Sequence, residues 1–128
     1  MKEPLLLSSR CIFPTPNMEQ TAEYYKEFLG FRAVAFWDME DPHIRLYRDL
    51  IEIVLLHTQN EVVIPNRNLY GYGYDAYFVT DHQAFLQCEF EKKGVNIVKR
   101  LSDTEYYNKD FVIEDIDGRW LGFGCKQN

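Results

Sequence analysis

The chain states one local pattern twice, 64 residues apart. Asn17 opens the first copy and Asp81 the second, and Gly30 closes the first and Gly94 the second. Each pair brackets a helix-like run, 18–29 and 82–93. A strand-like run precedes each helix, at 5–13 and 76–79, and further strand-like runs follow. A repeat in the order strand, helix, strands predicts two similar modules facing each other, and facing modules enclose a cleft.

The helix signals are local and physical. Asn17 can cap the free N–H groups of the first helix, with Gln20 completing a capping box. Thr21, Tyr24, Tyr25, Phe28 and Leu29 recur at three- and four-residue spacing and form one apolar stripe. Gly30 stands where a left-handed closing residue is wanted. In the second copy Asp81 or Thr80 can cap, Phe85, Leu86, Cys88 and Phe90 supply the apolar side, and Gly94 ends the helix. Charged residues on the remaining faces lay each helix on a sheet with one side in water.

Strands are expected at 31–37, 44–48 and 50–57, then at 96–101, 110–114 and 119–125, with turns at 38–42 and 115–118. Module one spans about 5–58, a linker about 59–73 and module two about 74–126, in a single domain. The linker holds Pro65, Asn66 and Asn68, then Tyr70-Gly71-Tyr72-Gly73-Tyr74. Its tyrosines serve either as props or as groups reaching into the cleft. Strand alternation puts Ile51, Ile53 and Leu55 on one side and Glu52 and Val54 on the other. Likewise Leu121, Phe123 and Cys125 oppose Trp120, Gly122 and Gly124. The apolar sides belong beneath the helices and the others face the cleft. The two glycines either leave room for a guest or mark a bulge or close backbone approach.

Composition narrows the function. A net charge of −6 argues against nonspecific nucleic-acid binding. Aromatic residues at 16% suit both a core and a site for a flat or apolar ligand. No apolar run is long enough to cross a bilayer, and Leu5–Leu6–Leu7 is too short for a signal-peptide core. Cys11, Cys88 and Cys125 are odd in number and widely spaced, which fits reduced thiols in the cytoplasm and not a disulfide framework.

Two motifs carry a resemblance. One is Asn17 followed by Tyr24-Tyr25-Lys26-Glu27-Phe28-Leu29-Gly30-Phe31, and the other runs from Phe111 through Glu114-Asp115-Ile116-Asp117-Gly118-Arg119 to Phe123. With the repeat between them, the chain resembles the vicinal oxygen chelate superfamily of glyoxalases, extradiol dioxygenases, fosfomycin-resistance enzymes and bleomycin-resistance proteins. The resemblance implies an α+β fold of two βαβββ modules whose curved sheets form a cup. In the superfamily's metal enzymes each module offers one ligand from its first strand and one from its last. Here those positions match Arg10, Glu52, Tyr74 and Gly122.

A divalent metal at such a centre wants imidazole or carboxylate donors. Arg10 is a permanent cation, a tyrosine is a poor ligand at neutral pH, and Gly122 has no side chain. Only Glu52 is a donor, so neither a metal nor another cofactor is expected there. His43, His57 and His82 read as surface or boundary residues. Arg10 and Glu52 either pair as a structural salt bridge, or Arg10 meets an anionic group of a bound molecule, or Glu52 a cationic one.

A small acidic chain with an aromatic-rich, metal-free cup most resembles the bleomycin-resistance branch. That likeness implies a non-catalytic binder that sequesters an antibiotic or similar ligand, with a homodimer as the working form. Its candidate ligand-binding residues are Arg10, Glu52, Tyr74, Phe78, Trp37, Trp120, Gly122 and Gly124. Residues 3–7 read as an arm exchanged between chains or as an ordinary first strand. Two alternatives stand beside this. One is a glyoxalase- or dioxygenase-like enzyme with a displaced metal site or metal-free chemistry at Glu52. The other is a degenerate member used only for protein association, its cup filled by its own side chains.

Overall fold

In the computed structural model, residues 2–103 and 108–126 are described. Cys11–Thr15 forms β1 and Met18–Leu29 forms α1. The cap and the stripe set α1: the side chain of Asn17 accepts from the Gln20 N–H at 3.0 Å, and Thr21, Tyr25 and Leu29 are buried. Arg32–Phe36, His43–Arg48 and Ile51–His57 follow as β2, β3 and β4. A short helix α2, Asn66–Tyr70, bridges to β5 at Ala76–Val79 and α3 at Gln83–Lys92. β6 (Asn96–Asp103), β7 (Asn108–Glu114) and β8 (Trp120–Lys126) complete the second module. Among the described residues no helix is long and apolar enough to cross a membrane.

Each module builds one four-stranded sheet, in the orders β1-β4-β3-β2 and β5-β8-β7-β6. The first strand runs parallel to the last and the other pairings are antiparallel. The two mixed sheets with their helices form an open cup, not a closed barrel. One core joins the modules through Phe13, Tyr25, Leu46, Ile53 and Leu55 on one side and Phe78, Phe90, Phe111, Leu121 and Phe123 on the other. The alternation of β4 and β8 follows the sequence reading, with Ile53, Leu55, Leu121 and Phe123 turned inward.

Four features differ from the sequence reading. The run 5–13 shrinks to Cys11–Thr15, and Leu5, Leu6 and Leu7 are 93%, 92% and 85% exposed. Cys11 lies opposite Ile53, so in this register β4 ends beside Ser9 and the residues before Ser9 have only the turn at Asp49 and Leu50 beside them. The linker is folded, since Asn66 donates from its backbone to Asp75 and from its side chain to the Tyr74 carbonyl. In α3 neither Thr80 nor Asp81 caps: His82 holds the N-cap position and makes no side-chain cap bond, and the Thr80 hydroxyl accepts from the His82 N–H instead. The buried residues of α3 are Gln83 and Phe90, with Phe85 and Cys88 exposed. Gln83 replaces an apolar residue there because its amide reaches the Lys109 carbonyl at 3.0 Å and the Cys125 sulfur at 3.1 Å.

The modules are joined by reciprocal hairpin contacts. The β7–β8 turn reaches into module one, where the Arg119 side chain is only 2% exposed. Its guanidinium donates to Asp115 and Asp117 at 3.0 Å each, donates to the Pro14 carbonyl, and lies over the Phe13 ring at 4.5 Å. The Tyr25 hydroxyl donates to Asp115 and the Thr21 hydroxyl to Asp117, both at 2.6 Å. In return, Arg48 at the end of β3 donates to both oxygens of Glu89 on α3, at 2.7 and 2.9 Å, and to the Leu29 carbonyl at 2.7 Å. Gly30 makes room for this arginine: its φ is 75°, and a Cβ there would stand 2.8 Å from the guanidinium.

Burial ranks the two junctions. Taking Arg119 and Asp115 out of water is costly, and only their full set of partners offsets it; removing one partner strands the other charge at a cost of about 3–5 kcal/mol. The Arg48 side chain is 24% exposed, so water screens its pair and the loss is smaller. Arg119→Ala should therefore lower the urea-unfolding free energy by about 3 kcal/mol or more, and Arg48→Ala by clearly less. Equal losses would place the anchoring charge elsewhere.

The same junction sets an alkaline limit. Burial, with the fields of Asp115 and Glu114, pushes the Tyr24 phenol from 10.0 up to about 12. Burial, with the Asp115 field next, pushes Tyr25 well above 10.0. Both folded values lie above the unfolded one, so their contribution is complete below pH 10.0 and is lost as pH rises toward about 12 and beyond. Urea midpoints should fall steeply across that window, and phenolate absorbance should show two tyrosines titrating late; a flat midpoint would contradict the assignment.

Candidate functional site

The face of sheet one turned away from α1 can be written out from the strand register. Its first row is Arg32, Tyr47 and Glu52, with Arg10 beside Glu52. The second is Val34, Arg45, Val54 and Ile12, and the third Phe36, His43, Leu56 and Pro14. Period-two alternation puts these residues together on one side, while Ile44, Leu46, Ile53 and Leu55 go to the core. The Arg10 Nε lies against the Glu52 carboxylate, and that glutamate is mostly buried while the arginine is half exposed.

The matching face of sheet two is closed. A Cβ on Gly122 would stand 2.9 Å from the Tyr77 ring and 3.2 Å from the Tyr74 ring. A Cβ on Gly124 would collide with the Asp110 carboxylate, stand 2.5 Å from the Lys109 carbonyl and 2.7 Å from the Tyr77 hydroxyl. The Tyr77 hydroxyl donates to Asp110 at 2.5 Å and so holds this lid in place. Trp120 is engaged as well: the Arg67 guanidinium lies 4.3 Å above its ring and its indole N–H donates to Glu114 at 3.2 Å.

The structure thus brings Arg10 and Glu52 together and groups Tyr74, Trp120, Gly122 and Gly124 on the other sheet. Phe78 is buried in the core and borders a separate cavity of about 210 Å³ at the module junction, with Phe31, Leu86 and Phe90. Trp37, following β2, lines a groove beside Glu19 and Glu23 of α1 and lies outside the cup face. Residues the sequence reading missed are Tyr47, Arg45, Arg32, Asp75 and Tyr77. The signal for the last two was an offset of 65: Phe13 and Phe78 sit at matching core positions opposite Leu55 and Phe123, and the N-caps Asn17 and His82 share that spacing. α3 is two residues shorter than α1, so the 64-residue spacing of the closing glycines does not carry back to the strands.

The corrected register tests the superfamily's metal centre. Arg10 and Glu52 correspond to Asp75 and Trp120, and the next row holds Ile12, Val54, Tyr77 and Gly122. Asp75 has both carboxylate oxygens occupied by backbone N–H groups, of Asn66 and Trp120, at 3.0 Å each. Glu52 is engaged by Arg10. Neither row presents a set of free donors, so these residues do not fit a divalent ion.

A fold of two βαβββ modules in an open cup, with this centre at its floor, is the architecture of a known class. The Glyoxalase/Bleomycin resistance protein/Dioxygenase superfamily model matches residues 8–123. The chain belongs to that superfamily. Among solved structures it is similar to a mobile-metagenome protein of V. Pseudocholerae, VPC_CASS1, at TM-score 0.68 and 18% identity over 100% of both chains. It is similar to the virulence protein STM3117 from Salmonella typhimurium, at TM-score 0.68 and 19% identity over 97% of this chain and 99% of that one. TioX from Micromonospora sp. ML1 aligns at TM-score 0.67 and 13% identity, over 91% and 98%. At these identities the likeness is one of fold. No curated protein sequence matches the chain.

The tight glycines give a direct check. Gly124→Ala should destabilise the fold by about 1–3 kcal/mol, because backbone at Lys109 cannot yield, and Gly122→Ala by less, because it meets tyrosine rings that can turn. Thermal unfolding of the two variants reads the difference, and the reverse order would mean that the tyrosine lid is rigid and the Asp110 side loose.

Proposed function

We propose that the chain is a non-catalytic small-molecule binding protein that holds its ligand in the cup, working as a cytoplasmic homodimer. The observation that supports this is the contrast between the two sheet faces. Module two is lidded by its own tyrosines, while module one leaves an open, ring-lined face around Arg10 and Glu52. Such a face can grip a molecule through stacking and charge, and among the described residues it offers no constellation of nucleophile, base and oxyanion donor. The enzymatic alternative needs Glu52 as a base, and that carboxylate is engaged by Arg10. The resemblance to the bleomycin-resistance branch supports sequestration of an antibiotic or similar compound. The three exposed leucines before Arg10 support an arm laid on a second copy of the chain.

Native mass spectrometry of protein purified from its own cells tests the reading in one measurement. The expected species is a two-chain mass carrying a small organic adduct, with the two-chain state weakened by deleting residues 2–8. A stoichiometric divalent metal that disappears in Glu52→Ala would replace the binding reading with a catalytic one.

A further inference from the structure

The arginines divide into two groups. Arg10, Arg48, Arg67, Arg100 and Arg119 each face a carboxylate. Among the described residues Arg32 and Arg45 make no ion pair, and both lie on the open face of module one. They are diagonal neighbours on β2 and β3, since Arg32 pairs with Tyr47 and Arg45 with Val34. Each guanidinium rests on a ring: Arg32 lies 4.7 Å from the Tyr47 centroid and Arg45 5.2 Å from that of Phe36. Stacking on a ring leaves the N–H edge of a guanidinium free to meet a planar anion in two parallel hydrogen bonds. Arg45 spends its Nε on His43, at 3.1 Å, and His43 turns Nδ1 to the Asp41 carbonyl at 2.9 Å. The histidine is therefore the tautomer that accepts from Arg45 and helps fix its direction.

Next to these cations the face is apolar. Val34, Val54 and Ile12 share the row of Arg45, and Ile12 is 62% exposed. The one carboxylate in the three rows is Glu52, which is already paired. The chain's net charge of −6 pulls the other way. That charge is spread over the whole molecule and is screened beyond about 8 Å at physiological salt, whereas a bound group meets the guanidinium forks at contact. Glu19 and Glu23 of α1 share a groove with Arg32, so the positive near field is centred on Arg45.

We infer that the open face of module one binds a small planar organic anion, with its carboxylate or similar head held by Arg45 at the Phe36 end of the face and its flat apolar body running across Val54 and Ile12 toward Arg32. This rests on the binding reading above and assigns its ligand class; of the anionic and cationic guests left open at Arg10 and Glu52, it selects the anionic one.

A matched pair of probes tests it: naphthalene-2-carboxylate and naphthalen-2-ylmethylammonium, titrated into the full chain by calorimetry. The carboxylate should bind at least about tenfold tighter than the ammonium, and Arg32→Ala with Arg45→Ala should lower its affinity by about tenfold or more. Glu52→Gln should tighten the carboxylate, because it frees Arg10. Both arginines lie outside the core, and an unchanged circular dichroism spectrum confirms that the double variant is folded. Equal affinity for the two probes, a preference for the ammonium, or a folded double variant that keeps its carboxylate affinity would overturn the inference. If neither probe binds while mass spectrometry still finds a trapped neutral or cationic compound, the ligand class fails and the binding reading stands. If neither probe binds and nothing is trapped, both fall.

Discussion

Arg119 is the point on which the two modules turn. A guanidinium this deeply buried is tolerable only if every direction around it is answered, and here the answers come from both modules. Asp115 and Asp117 belong to its own hairpin, whereas the Pro14 carbonyl and the Phe13 ring belong to the other module. Tyr25 and Thr21 on α1 then take up the same two carboxylates. Burial pushes the Asp115 carboxyl up, and the Arg119 field draws it partly back. The network thus fixes how one sheet stands against the other, and the shape of the cup follows from it.

Given that frame, the halves of the cup have diverged. Module two has spent its concave face on itself: Tyr74 and Tyr77 lie over the glycines, Arg67 of the linker helix covers Trp120, and Asp75 is tied to two backbone amides. Module one keeps its face open and carries there two arginines that have no acidic partner among the described residues. Duplicated modules need not share a task once one interface holds both in place. The closed half is filled by its own side chains, and the open half leaves its side chains facing the cup.

Much of the fold was legible because its signals are local. The Asn17 cap, the stripe from Thr21 to Leu29 and the alternation of β4 and β8 are set by backbone geometry and apolar spacing, and the duplicated order follows from them. The site was legible only in part. Arg10 and Glu52 were placed as neighbours only through the superfamily resemblance. Arg32 and Arg45 were not found, since nothing in a sequence says which arginines will lack a carboxylate after folding. The glycines of β8 were read either as room for a guest or as a close approach, and the Lys109 carbonyl with the Tyr74 and Tyr77 rings beside them answers to the second. Phe85 and Cys88 were misplaced because the buried side of α3 is fixed by a polar contact of Gln83, which periodicity of apolar residues does not register.

The reciprocal hairpins have one more consequence. Each module offers an arginine outward and a cradle inward, so a single module on its own would have both an unmet plug and an unmet socket. A module one and a module two satisfy each other whether or not a linker joins them. The junction that now lies inside one polypeptide is therefore of the same kind as one between separate subunits, and exchanging halves between two polypeptides would require no new surface, only a longer reach of the segment that carries α2.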